Sequence, residues 1–108
     1  MRKIRIFISQ PMSGLTAEKI KETRNNVIQK LADYFENVEF IDSFNENALN
    51  NSDPIAELGK CVSMMSGADF VFFCKGWENS RGCQVKHCVA VKYDVPQIYE
   101  DEDKRYPP

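Results

Sequence analysis

The run "DFVFFC", Asp69 to Cys74, decides the fold. After its first residue it is apolar at consecutive positions, so neither of its alternating faces suits water. A strand of that kind belongs in the middle of a parallel sheet covered by helices on both sides, and the segments flanking it are where those helices are expected.

Upstream, Asp53 and Pro54 form an N-cap and first-turn pair. Ile55, Leu58, Val62 and Met65 then recur at helical spacing until Gly67 stops the helix. Downstream, "GWENSRGCQVKHCVA", Gly76 to Ala90, opens on a glycine turn, offers Ser80 as an N-cap and continues as a helix from Arg81 to Tyr93. "PQIYE", Pro96 to Glu100, closes as a last strand.

The N-terminal half repeats the alternation. "KIRIFIS", Lys3 to Ser9, reads as a strand, and "QPMSG", Gln10 to Gly14, as a turn in which Pro11 fixes φ and Gly14 tolerates a positive one. Thr16 caps a long helix with Glu18 in its positive first turn and Ile20, Val27, Ile28, Leu31 and Phe35 on its apolar stripe. "VEFID", Val38 to Asp42, is a second short strand. The polar tract "SFNENALNNS", Ser43 to Ser52, is the longest irregular segment, of a length that often carries function.

The order is β-α-β-α-β-α-β. Right-handed crossovers make an α/β open parallel sheet between helical layers the economical architecture. The 108 residues, 43% hydrophobic and 28% charged, suit one domain over residues 1–108 with no repeat or linker. A cytoplasmic location is expected. No stretch approaches the roughly 20 apolar residues of a bilayer span, and "MRKIRIFIS" lacks the features of a signal peptide. A net charge of −2, interspersed until the closing "EDEDKRYPP", argues against nucleic acid as a bulk partner, and with no such span no membrane partner is expected. The four cysteines are unevenly spaced and expected to be reduced thiols.

Ligands of open α/β sheets lie beyond the carboxyl ends of the strands, near the switch in strand order. That selects "SQPMSG", Ser9 to Gly14, and "KGWENSRG", Lys75 to Gly82. Ser80 and Gly82 leave free N–H groups and a positive dipole end suited to a phosphate, although they also read as a plain cap and a packing glycine. Trp77 either stacks on a base or covers the sheet edge. Cys83, His87 and Cys88 crowd one turn of helix, but a closed zinc site needs further ligands and the chain has no second close pair. No metal and no cofactor are expected, and His87, the only histidine, reads as a packed or solvent-facing side chain rather than a ligand.

Three segments, "IFISQPMSG" at 6–14, "ADFVFFCKGWENSRGC" at 68–83 and "QVKHCVAVKYDVP" at 84–96, carry a resemblance over nearly the whole chain. Together they resemble the nucleoside 2-deoxyribosyltransferase-like superfamily, and in particular its small DUF4406-type domains of bacteria and phages. The resemblance implies a flavodoxin-like sheet of four to five strands with helices on both faces, and a homodimer or higher homo-oligomer. It also implies a site that binds a nucleoside or nucleoside phosphate and cleaves or exchanges the N-glycosidic bond. In that chemistry a glutamate attacks the anomeric carbon and an aspartate assists.

Carried onto this chain, the glutamate position, four residues before the small residue Ala90 in the helix after Gly82, is Lys86. The aspartate position, eight residues before Asp69, is Cys61, and an aromatic hydroxyl of the first strand falls at Phe7. The catalytic positions are thus Lys86 and Cys61, and the implied binding residues are Phe7, Gln10, Pro11, Met12, Ser13, Gly14, Trp77, Ser80 and Gly82. With both carboxylates replaced, each at its spacing, the leading expectation is a catalytically inactive nucleotide-binding protein. It could serve to sequester a nucleotide signal in a phage setting. Exchanging a carboxylate for an ammonium turns such a pocket toward anions. The alternatives are an active N-glycosidase or deoxyribosyltransferase recruiting Glu78, Asp42 or Cys61, and a dimerisation module with a vestigial pocket. Lys86 has its own alternative, a solvated helix lysine, because helical phase does not say which way its face turns.

Overall fold

An all-parallel sheet of four strands organises the computed structural model, which describes residues 2–42 and 53–101. The strands are β1 (Ile4–Ser9), β2 (Val38–Ile41), β3 (Phe70–Phe73) and β4 (Gln97–Tyr99). The helices are α1 (Ala17–Tyr34), α2 (Pro54–Met65) and α3 (Arg81–Lys92), with a 3₁₀ turn at Trp77–Asn79 leading into α3. The strand order is β2-β1-β3-β4, and the register pairs Phe7 with Ile41 on one side of β1 and with Val71 on the other. This is the expected α/β architecture with a flavodoxin-like order, at the four-strand end of the expected range.

Strand alternation explains the run that opened the reading. Ile6, Ile8, Phe72 and Cys74 face one way and pack on Val27 and Leu31 of α1. Phe7, Val71 and Phe73 face the other way and pack on Met65 of α2, Trp77, and Cys83 and Ala90 of α3. β3 is apolar throughout because both of its faces meet helices.

The helix starts follow the caps. Thr16 Oγ1 accepts from Lys19 N–H at 3.1 Å, Asp53 Oδ1 from Ala56 N–H at 3.1 Å and Ser80 Oγ from Cys83 N–H at 3.4 Å. Phe35 is the C-cap of α1 rather than its last stripe residue, extended at φ −106° and ψ 131°. Tyr93 likewise caps α3, and Asp94 at φ +58° makes the turn toward β4.

Asp69 stands just before β3 as an electrostatic clamp. It accepts from Arg2 Nη2 at 2.7 Å and from Arg5 N–H at 2.8 Å. The Arg2 hydrogen bond, followed by that of the Arg5 amide, holds its carboxyl below the usual range. All four cysteines are free thiols, and among the described residues no helix is long and apolar enough to cross a membrane. The tract 43–52 and the tail from residue 102 lie outside the described residues.

Candidate functional site

The chain leaves β1 toward β2 on one side and returns to β3 on the other, so the switch in strand order lies between β1 and β3. The two loops selected from the sequence meet there. Cys74 N–H donates to the Ser9 carbonyl at 3.0 Å, and a Cβ placed on Gly76 would lie 3.8 Å from Pro11 Cγ.

Gln10 anchors the first loop: it is buried, and its Nε2 donates to the Ile20 carbonyl of α1 at 3.1 Å. Pro11 and Met12 are half-buried, while Ser13 and Gly14 stand exposed in a turn closed by Leu15 N–H donating to the Met12 carbonyl at 3.1 Å. Gly14 takes φ +80°, the left-handed conformation expected of it. The second loop turns at Gly76, φ +89°, and places Ser80 and Gly82, both half-buried, at the start of α3. Nothing lies within 4 Å of where a Cβ on Gly82 would stand, so the first turn of α3 has open space beside it.

Trp77 is buried and its indole stacks on His87 with ring centres 4.2 Å apart, beside Phe73 at 5.3 Å and Tyr99 at 5.8 Å. Of its two readings, covering the sheet edge is the one this packing satisfies. Of the two readings of His87 the packed one holds, with Nε2 2.6 Å from the Tyr99 hydroxyl, and burial holds its pKa below the ordinary value. Among the described residues no three His, Cys, Asp or Glu side chains gather closely enough to hold a metal ion.

Lys86 turns inward, so the solvated alternative is replaced. The residue is 6% exposed and its Nζ lies 5.8 Å from the centre of the Phe7 ring. Among the described residues it has no carboxylate partner. Half-buried Cys61 of α2 packs against the cluster that contains Phe7. Phe7, Cys61 and Lys86, the three positions separated by 25 to 79 residues where the chain departs from the resembled chemistry, therefore share one face of the sheet. Glu78 is half-buried in the 3₁₀ turn, and Asp42 is exposed at the end of β2.

The structure adds Arg24, which the sequence reading passed over, and singles out Ser9 within the selected first loop. Ser9, the last residue of β1, is fully buried on the Phe7 face. Arg24 of α1 is 6% exposed, with Nη2 donating to the Ile41 carbonyl at 3.2 Å and lying 3.5 Å from Asp42 Oδ1. A signal for Arg24 exists in the sequence: it is a cation four residues after Ile20 and three before Val27, on the apolar stripe of α1.

Four buried side-chain polar atoms among the described residues have no hydrogen-bond partner: Ser9 Oγ, Gln10 Oε1, Arg24 Nη1 and Trp77 Nε1. All four belong to the carboxyl edge of the sheet and the segments bordering it. Cys74 lies among them as an inert thiol. Burial, with smaller contributions from Glu100 and Cys83, pushes its pKa up to about 12, while Arg24 and Lys86 pull in the opposite direction.

A family model described as "Domain of unknown function (DUF4406)" matches residues 4–99, from the first residue of β1 to the last of β4. No curated protein and no solved structure gives a significant match.

Proposed function

We propose a function for this chain from one premise: it belongs to the DUF4406 family, whose match spans every strand and helix described above. The chain binds a nucleotide or nucleoside phosphate in the crevice between the β1–α1 and β3–α3 loops and does not cut it. The observation that carries this reading is Lys86, a buried amine that among the described residues has no carboxylate partner, at an edge that also gathers four orphaned polar atoms of those residues. Buried unpaired cations and unsatisfied polar groups are costly, and an anionic, hydrogen-bonding ligand relieves both. The open first turn of α3 beside Ser80 and Gly82 supplies N–H groups and a positive dipole end for a phosphate.

The resemblance to the nucleoside 2-deoxyribosyltransferase-like superfamily supports the choice of a nucleoside phosphate among anions. On that reading the two catalytic carboxylate positions are Lys86 and Cys61. A lysine ammonium has no lone pair with which to attack an anomeric carbon, and a thiol at Cys61 is a poor substitute for a carboxyl that holds or protonates a leaving base. The exposed apolar side chains Ile55 and Met64 of α2 and Val85 of α3 support the further reading that the protein is a homodimer. Sedimentation of the full chain tests that reading, and a monomer at micromolar concentration removes it.

The direct test of binding is calorimetry against nucleoside mono- and diphosphates, ADP-ribose and cyclic nucleotides, with chromatography of the same mixtures. At least one ligand is expected to bind, to bind more weakly to Lys86→Glu, and to be recovered intact. Absence of binding at millimolar concentration in both proteins would overturn the proposal in favour of a vestigial pocket. Release of free base that Cys61→Ala abolishes would replace it with the active glycosidase.

A further inference from the structure

Two cationic side chains are buried among the described residues, Lys86 on α3 and Arg24 on α1. They reach the carboxyl edge of the sheet from opposite faces, since α3 packs with Phe7, Val71 and Phe73 and α1 with Ile6, Ile8 and Phe72. They nonetheless border adjacent strands, β1 and β2. Lys86 Nζ stands over Phe7, and Arg24 Nη2 donates to the carbonyl of Ile41, the register partner of Phe7 on β2. The Cys74 thiol, at the end of β3, feels the field of both.

The hydrogen bonds of Arg24 account for only one arm of its guanidinium. Nη2 has the Ile41 carbonyl at 3.2 Å and Asp42 Oδ1 at 3.5 Å, whereas Nη1 is buried without a partner among the described residues. If Arg24 served only to clamp the end of β2, Nη2 would suffice and an unsatisfied Nη1 would be a net cost. A planar fork with one arm held and one arm open suits a second acceptor, and phosphate oxygens are the acceptors that such a fork matches best. Among the other orphaned atoms, Gln10 Oε1 is an acceptor on a side chain whose Nε2 is tied to Ile20, one helical turn before Arg24 on α1. Among the described residues Asp42 is the acid that faces Arg24; its side chain is exposed, so it leaves the guanidinium charge incompletely offset.

We propose that Arg24 is a second anion-binding residue of this site, and that the ligand therefore carries two anionic groups, as a nucleoside diphosphate does. This rests on the nucleotide-binding reading above. In it, Lys86 and the first turn of α3 hold one phosphate, and Nη1 of Arg24 holds the other from the α1 side of the crevice.

Calorimetry with the mono- and diphosphate forms of the four ribonucleosides tests it. The wild-type chain is expected to bind a diphosphate at least about tenfold more tightly than the matching monophosphate. Arg24→Met and Arg24→Lys, checked for folding by circular dichroism, are expected to erase that preference while leaving monophosphate affinity within about twofold. Asp42→Asn, which removes the opposing carboxylate, is expected to widen the preference. A wild type that binds both forms equally overturns the inference and leaves the nucleotide-binding reading standing; a wild type that binds neither overturns both. Folded Arg24 variants that keep the preference make Arg24 a clamp only and overturn the inference. If neither variant folds, an unchanged preference in Asp42→Asn does the same.

Discussion

Replacing Lys86 by methionine separates what the lysine costs from what it does. The side chain is 6% exposed, its Nζ is 5.8 Å from the Phe7 ring centre, and no carboxylate pairs with it among the described residues. Desolvation of such a charge amounts to several kcal/mol, of which the aromatic face returns about 0.5–2 kcal/mol and residual hydration near the crevice returns more. A net penalty of about 1–2 kcal/mol in the ligand-free protein is the reasonable balance. Methionine keeps the length and the apolar stem, so Lys86→Met should stabilise the free chain by about that amount, or roughly 4–8 °C in Tm per kcal/mol for a domain near this size. Ligand binding should move the other way. Loss of a charge-assisted contact worth about 1.5–3 kcal/mol weakens binding by roughly 10- to 150-fold. Urea unfolding gives the first quantity, provided the slope m is unchanged, and calorimetry gives the second. A Lys86→Met protein less stable than wild type by about 1 kcal/mol would show that the amine is structurally satisfied. With phosphate affinity also unchanged, the anion site would lose its basis.

Other consequences are testable in the same assays. Gly82→Ala meets open space and exchanges glycine for the best helix former, so it should stabilise the free protein by up to about 1 kcal/mol while weakening phosphate binding. Stabilisation without weaker binding would move the phosphate away from α3. Gly76→Ala should cost about 1–2 kcal/mol in urea unfolding, because its φ of +89° disfavours any Cβ even though the nearest atom, Pro11 Cγ, would be at a comfortable 3.8 Å. A neutral result would mean the loop relaxes to another conformation. His87, whose pKa burial holds below its ordinary value, binds its proton more readily in the unfolded chain. Stability should therefore fall as pH drops below about 6.5 and toward the folded-state pKa. His87→Gln should flatten that window and leave the loss below about pH 4, where Asp69 takes up its proton in the unfolded chain before it does in the folded one. Parallel curves for the two proteins would exclude the histidine as the cause.

The order of elements was legible because each signal is local. Thr16, Asp53 and Ser80 cap helices through bonds to residues three positions on, and the apolar run of β3 records that both of its faces are covered. The two loops of the candidate site were legible from topology alone, because a β-α-β-α-β-α-β order with right-handed crossovers brings particular strand ends together. Phe35, expected on the α1 stripe, instead ends the helix while still packing against the α1 side of the core, since apolar spacing marks burial and not the last helical turn.

By itself, then, the sequence determined the α/β alternation, the helix starts and the two loops at the ligand edge, all products of contacts within a few residues or of chain handedness. Only the tertiary structure decided that Lys86 points inward over Phe7, that Trp77 spends a face on His87, and that Arg24 is buried with one arm unpaired. Helical periodicity says which residues share a face of α3 or α1. What that face meets depends on strands up to tens of residues away in the chain, and the balance of charge and hydrogen bonding at the site is settled only when those surfaces close on one another.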